Sequence, residues 1–246
     1  MGFKRWITWY VKSALVSGIL ITNVIGLAPC TYAQNIILDD FESYSVGGVP
    51  ELWDTNRGKK LIPLTPELMR DVESFYILEE DGNQFVRAAT LDQAFRMILT
   101  NGDQMNWHLP THPRIAWDWR AIELPEGANE KTDSKNDTGG AVYVIFSKDF
   151  LGRPRGIKYT YSSTLPVGTR ASYGPLKILV LASGIDGIGE WQHVERDLYA
   201  DYQMLHGKTP PDKPLAIFLW SDSDTMNSRA TVDYDNITLL GQVGVE

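Results

Sequence analysis

Four aspartates, Asp118, Asp137, Asp222 and Asp224, are candidates for carboxylate chemistry. Glycoside hydrolysis needs one carboxyl as acid and a second as nucleophile or base, so two of them brought together would make a polysaccharide-active hydrolase or lyase. Asp118 lies between Trp117 and Trp119 and, on an extended strand, points away from whichever face the tryptophans occupy. Asp222 and Asp224 also read as a turn after a strand, where Asp and Ser bond their own backbone. Glu195-Arg196-Asp197 begins like the Glu-x-Asp-x-Glu strand motif of one sandwich glycosidase class, but Tyr199 stands where the second Glu would be. The sequence contains no Gly-x-Ser-x-Gly and no phosphate loop. His108 and His112 are four apart, but Pro110 and Pro113 break the helix that would turn both toward one metal, which leaves two loop histidines.

Aromatic residues offer a different chemistry. Trp117 and Trp119 alternate on one expected strand and Tyr159 and Tyr161 on another, so each pair shares a face of a sheet. On an open face they would stack against the apolar C–H faces of sugar rings; turned inward they are core.

Strands must position these groups, because apolar and polar residues alternate in short runs separated by turn residues. The runs predict strands over Ile36–Glu42, Ser74–Glu79, Gln84–Ala89, Phe95–Leu99, Arg114–Ile122, Gly140–Ser147, Gly156–Tyr161, Leu176–Ala182, Trp191–Glu195, Leu215–Ser221 and Thr231–Leu240. Asp81-Gly82-Asn83 tolerates positive φ and predicts a hairpin. Asp197 can cap a helix carrying Leu198, Tyr202 and Leu205 on one face, ended by Gly207. Pro125–Thr138 is polar and without period, a long loop inside one domain. The expected class is all-β: a β-sandwich of jelly-roll type with one short crossover helix.

With 43% hydrophobic residues the chain is no disordered tail. Its N-terminus reads as an export segment. Lys4, Arg5 and Lys12 precede the uncharged run Ser13–Ala28, too short for a membrane span, and Thr31-Tyr32-Ala33 offers a cleavage site. A signal peptide over 1–33 leaves a single domain over 34–246, beginning at Gln34. Leu27-Ala28-Pro29-Cys30 half resembles a lipobox, with Pro29 against it; cleavage after Ala33 removes Cys30, the only cysteine. The mature chain carries 31 acidic against 20 basic residues, which excludes a phosphate backbone as a natural partner and leaves no stable membrane insertion after cleavage. The expected location is the periplasm or the medium.

Four runs occur in order: Pro113-Arg114-Ile115-Ala116-Trp117-Asp118-Trp119-Arg120; Asn136-Asp137 followed by Thr138 through Phe146; Gly189-Glu190-Trp191 with Arg196 and Asp201-Tyr202; and Ser221-Asp222-Ser223-Asp224-Thr225. Together they resemble the exported bacterial family catalogued as domain of unknown function 3047, from Phe85 to Leu240, and the four aspartates fall within them. The resemblance implies a bacterial exported domain and supplies no reaction. This chain departs from the family pattern at Asn136-Asp137, where two acidic residues are expected. The ends, Asp39-Asp40-Phe41-Glu42 with Trp53 and Val232 through Ile237, are similar to the terminal strands of jelly-roll carbohydrate-binding modules. That likeness implies paired first and last strands and a structural calcium held by Glu42 and Asp235. Three functions stay open: a non-catalytic exported sandwich binding a glycan or other cell-envelope component, a polysaccharide hydrolase or lyase, and an envelope scaffold without a small ligand.

Overall fold

The computed structural model describes residues 33–242; residues 1–32, which hold Cys30 and nearly all of the expected signal peptide over 1–33, and the last four residues lie outside it. Fourteen strands form two sheets. The first sheet runs β12 (Gln192–Asp197), β7 (Arg114–Glu123), β14 (Arg229–Leu240), β5 (Asn83–Leu91), β4 (Glu73–Glu80), with β1 (Ile36–Asp39) beside the far end of β14. The second runs β10 (Arg170–Tyr173), β11 (Leu176–Ser183), β9 (Pro154–Ser162), β8 (Thr138–Lys148), β13 (Ala216–Asp222), β6 (Ala94–Thr100), β2 (Asp54–Arg57), β3 (Lys60–Pro63). All neighbours pair antiparallel except β9 and β11. This is a β-sandwich of jelly-roll type, and helix α1 (Leu198–His206) crosses from β12 to β13, from the first sheet to the second.

Local chemistry accounts for the punctuation. Asp81 (φ 54°) and Gly82 (φ 82°) both adopt the left-handed conformation that a two-residue hairpin between β4 and β5 requires. Asp197 caps α1 by accepting from the Ala200 amide at 3.0 Å, and Gly207 ends it at φ 69°. The helix is tied down by buried Asp201, which takes two bonds from Arg196 and one from the Tyr159 hydroxyl at 2.8 Å. Among the described residues no helix is long and apolar enough to cross a membrane.

The core corrects one expectation. Trp117, Trp119, Tyr159 and Tyr161 are fully buried and form no stacking platform. Strand β7 turns its tryptophans and β9 its tyrosines into the space between the sheets. There Trp117 meets Tyr159 and Trp119 meets Tyr161, each pair with ring centroids 5.5 Å apart. Four large rings bury more apolar area inside than any exposed arrangement could, which decides the facing.

Candidate functional site

The other face of the eight-stranded sheet carries the site. Strand β8 buries Val142, Val144 and Phe146 in the main core, so alternation sends Ala141, Tyr143 and Ile145 outward; β13 likewise sends out Phe218 and Trp220. Phe218 lies opposite Tyr143, Tyr143 opposite Lys158 of β9, and Lys158 opposite Ile178 of β11, giving one row across four strands. In the next row Trp220 lies between Ala141 of β8 and Arg96 of β6. The small Ala141 lets the Tyr143 ring lean onto Trp220, with centroids 5.0 Å apart and planes 26° from parallel. From the opposite neighbour, the Arg96 guanidinium sits 4.1 Å from the Trp220 ring centroid.

These residues floor a groove of about 730 Å³. One wall is the β10–β11 turn with Tyr173, Gly174 and Pro175; the other is built from Asp133, Asn136, Asp222 and Thr225. The second wall depends on the long loop before β8. Buried Glu130 pins that loop by accepting from Thr138 Oγ1 at 3.3 Å and Ser162 Oγ at 2.6 Å. At the start of β8, Gly139 and Gly140 bulge opposite Ser221, so that Asp222 pairs with Thr138. A side chain at Gly140 would meet Val232 at 2.7 Å. Tyr234 closes the gap from the other sheet: its hydroxyl donates to Trp220 O and accepts from Ala141 N, both at 2.8 Å.

The fold gathers three of the four aspartates. Carboxylate oxygens of Asp137, Asp222 and Asp224 lie within 4.8 Å of one another. Asp137 is fully buried and accepts the amides of Thr225 (3.0 Å) and Met226 (2.7 Å), so it holds the following turn in place. Asp222 is different. Burial pushes its carboxyl up to about 7, with Asp224 and Asp137 adding to the rise and Lys158 opposing it, and its Oδ1 has no partner. The trio could offer oxygens to a divalent cation, but the Lys158 ammonium already supplies positive charge to Asp222 and Asp137.

Asp118 is elsewhere, on the outer face of the first sheet, hydrogen-bonded to His193 Nδ1 at 2.6 Å and Asn236 Nδ2 at 2.8 Å. It faces Asp235 across β7 and β14 and takes no part in the groove. Glu42 and Asp235 meet at the β4–β5 hairpin, where Glu42 Oε1 accepts the Gln84 amide at 2.8 Å and Asp235 Oδ2 the Asn83 side chain at 2.9 Å. Burial lifts Asp235 to about 6, and the carboxylates of Asp118 and Glu42 add to the rise.

Sequence reasoning missed Tyr143, Phe218, Trp220, Arg96 and Lys158. A signal was present: β8 and β13 are apolar at successive positions, so each must offer an apolar face outward as well as inward.

Fold and site together define a jelly-roll β-sandwich with an aromatic-floored groove on the outside of its larger sheet. The chain belongs to the family described as Protein of unknown function (DUF3047), whose model matches residues 66–238. No curated protein matches it. Among solved structures, it is similar to the family 11 carbohydrate-binding module of the Clostridium thermocellum cellulase Lic26A-Cel5E, at 14% identity and TM-score 0.41, covering 88% of this chain and 99% of that one. The family 30 module of the C. thermocellum cellulase Cel9D-Cel44B aligns at 13% identity and TM-score 0.42, covering 85% and 99%. An exo-β-agarase aligns at 11% identity and TM-score 0.43, covering 87% of this chain and 25% of the agarase.

Proposed function

We propose that this is an exported, non-catalytic β-sandwich that binds a glycan of the cell envelope or its surroundings in the outer groove. One observation carries the reading: polar groups without partners converge on the groove. Trp220 Nε1, Asn136 Oδ1 and Asp222 Oδ1 are buried without a hydrogen bond, and the Lys158 side chain, 3% exposed, makes neither a hydrogen bond nor an ion pair among the described residues. Buried polar groups are ordinarily satisfied, so donors and acceptors left open around an aromatic floor favour a ligand that both donates and accepts. Sugars do so with every hydroxyl and present apolar C–H faces to the rings. Support for a non-catalytic role comes from the acids: of the three gathered carboxylates only Asp222 lines the groove, whereas glycosidases set two on either side of the scissile bond, about 5–9.5 Å apart.

A glycan array with the mature protein, paired with a reducing-end release assay, tests this. Trp220→Ala is expected to weaken binding at least roughly tenfold, as loss of a central tryptophan does, without release of sugar by either form. Release that fails in Asp222→Asn or Asp137→Asn would establish the hydrolase instead. Absence of any glycan ligand would leave the scaffold reading.

We also propose a structural calcium between Glu42 and Asp235. Its support is the meeting of both carboxylates at the β4–β5 hairpin and the raised Asp235 carboxyl, whose charge a divalent cation would offset. Chelator is then expected to lower the melting temperature by several degrees and calcium to restore it. Asp235→Asn and Glu42→Gln should be indifferent to both. A wild-type melt unmoved by chelator would rule the ion out.

A further inference from the structure

We propose that the sugar taken by the groove is anionic, a uronate-bearing glycan whose carboxylates engage Lys158 and Arg96. The inference rests on the glycan reading above and adds the substrate class.

The argument is a charge count at the floor. Lys158 and Arg96 stand in adjacent rows with the stacked Tyr143 and Trp220 rings between them, Lys158 Nζ 5.5 Å from the Tyr143 ring centroid and Arg96 over Trp220. Neither has a carboxylate within 4.0 Å among the described residues; Arg96 donates only through Nε, to Asn56 Oδ1 at 2.5 Å. The third cation of the groove, Arg153, is already paired with Asp149 at 2.7 Å.

The chain's own anions act on Lys158 only from beyond ion-pair distance. Asp137 is held by two backbone amides and Glu130 by two hydroxyls, and Asp133 is exposed at the rim. Asp222, the anion that bears most strongly on Lys158, is kept largely protonated below neutral pH by burial. A buried ammonium without a counter-ion in contact is costly, and burial pulls Lys158 below its ordinary value despite the more distant carboxylates of Asp222, Glu130 and Asp137. A ligand carboxylate corrects both defects. It can accept two parallel bonds from the terminal nitrogens of Arg96 or a point-charge contact from Lys158, while the sugar rings cover the aromatic pair between them. A neutral sugar would cover the rings and leave both cations unpaired.

The test compares polygalacturonate with the same polymer fully methyl-esterified, which keeps the rings and removes the charge, and adds dextran sulfate as a polyanion with other sugars. The mature protein should bind the acid form at least roughly tenfold more tightly than the ester and prefer it to dextran sulfate. Lys158→Met matches the side chain's length in an apolar setting, and Arg96→Gln acts on the far side of the aromatic pair. Each should weaken the acid form more than the ester and so shrink the acid-over-ester preference several-fold, with melting curves confirming that both variants fold. Equal binding of acid and ester overturns the inference and leaves the glycan reading standing, as does a preference that survives in both folded variants. Equally tight, variant-sensitive binding of dextran sulfate overturns it in favour of a general polyanion site. Binding of no glycan on the array removes the inference together with the reading beneath it.

Discussion

Asp233→Ala is expected to remove roughly 3–5 kcal/mol of stability, the usual cost of leaving a buried ion-pair network without one partner. Asp233 stands on β14, opposite Arg87 of β5 on one side and Arg120 of β7 on the other. It is fully buried, and its carboxylate accepts four hydrogen bonds, two from each guanidinium, at 2.6 to 3.0 Å. Truncation leaves two arginines facing a void. Arg120 retains Glu80 at 2.7 Å and its place over the Trp191 and Phe85 rings, so most of the loss falls on Arg87. Asp233→Asn keeps the shape and removes the charge, and should recover only a minor part. Urea denaturation reads the effect directly. A loss below about 1 kcal/mol would mean that the network behaves like an exposed ion pair.

Asp222→Asn should show a pH-dependent gain relative to wild type. The folded-state carboxyl titrates near 7 and the unfolded one at its ordinary value near 3.8. Below about pH 4 both states hold the proton and the residue contributes its full share of stability. As pH rises the unfolded chain ionises first, so the wild type loses stability progressively until the folded carboxyl has also titrated, just above pH 7. Three units of separation set an upper limit of about 4 kcal/mol on that loss. Asparagine has no proton to lose. The difference in melting temperature, variant minus wild type, should therefore grow between pH 4 and pH 8 and flatten beyond. A difference that stays constant across that range would mean that Asp222 titrates as an ordinary surface carboxyl.

Much of the fold was legible because strand and helix signals are local. Each of the eleven runs of alternating or continuous apolar residues became a strand, and Asp197 and Gly207 bound the one α-helix as expected. The strands that escaped, β2, β3 and β10, are four residues each and two of them are sheet edges, where exposure leaves little apolar pattern to read. The site was less legible. Period two tells which residues share a face but not which face turns inward. Trp117 with Trp119, and Tyr159 with Tyr161, were correctly grouped, and three-dimensional packing then put both groups inside. On β8 and β13 both faces are apolar, so Tyr143 and Trp220 gave no contrast with their neighbours. The meeting of Asp137 with Asp222 and Asp224 follows from β8 lying beside β13, a long-range pairing that no local pattern encodes.

Among the described strands, the last in chain order is also a central one. Strand β14 lies between β5 and β7 and receives β1 as well, so three strands of the smaller sheet depend on residues 229–240 for a partner. During synthesis every fragment ending short of that strand has open edges at β5 and β7 and no cover for the apolar inner face of the larger sheet. High contact order of this kind makes folding slow and late. The smaller sheet therefore cannot complete its pairing until residues 229–240 are available. A chain lacking that strand is expected to expose unpaired edges at β5 and β7 that invite association with other chains.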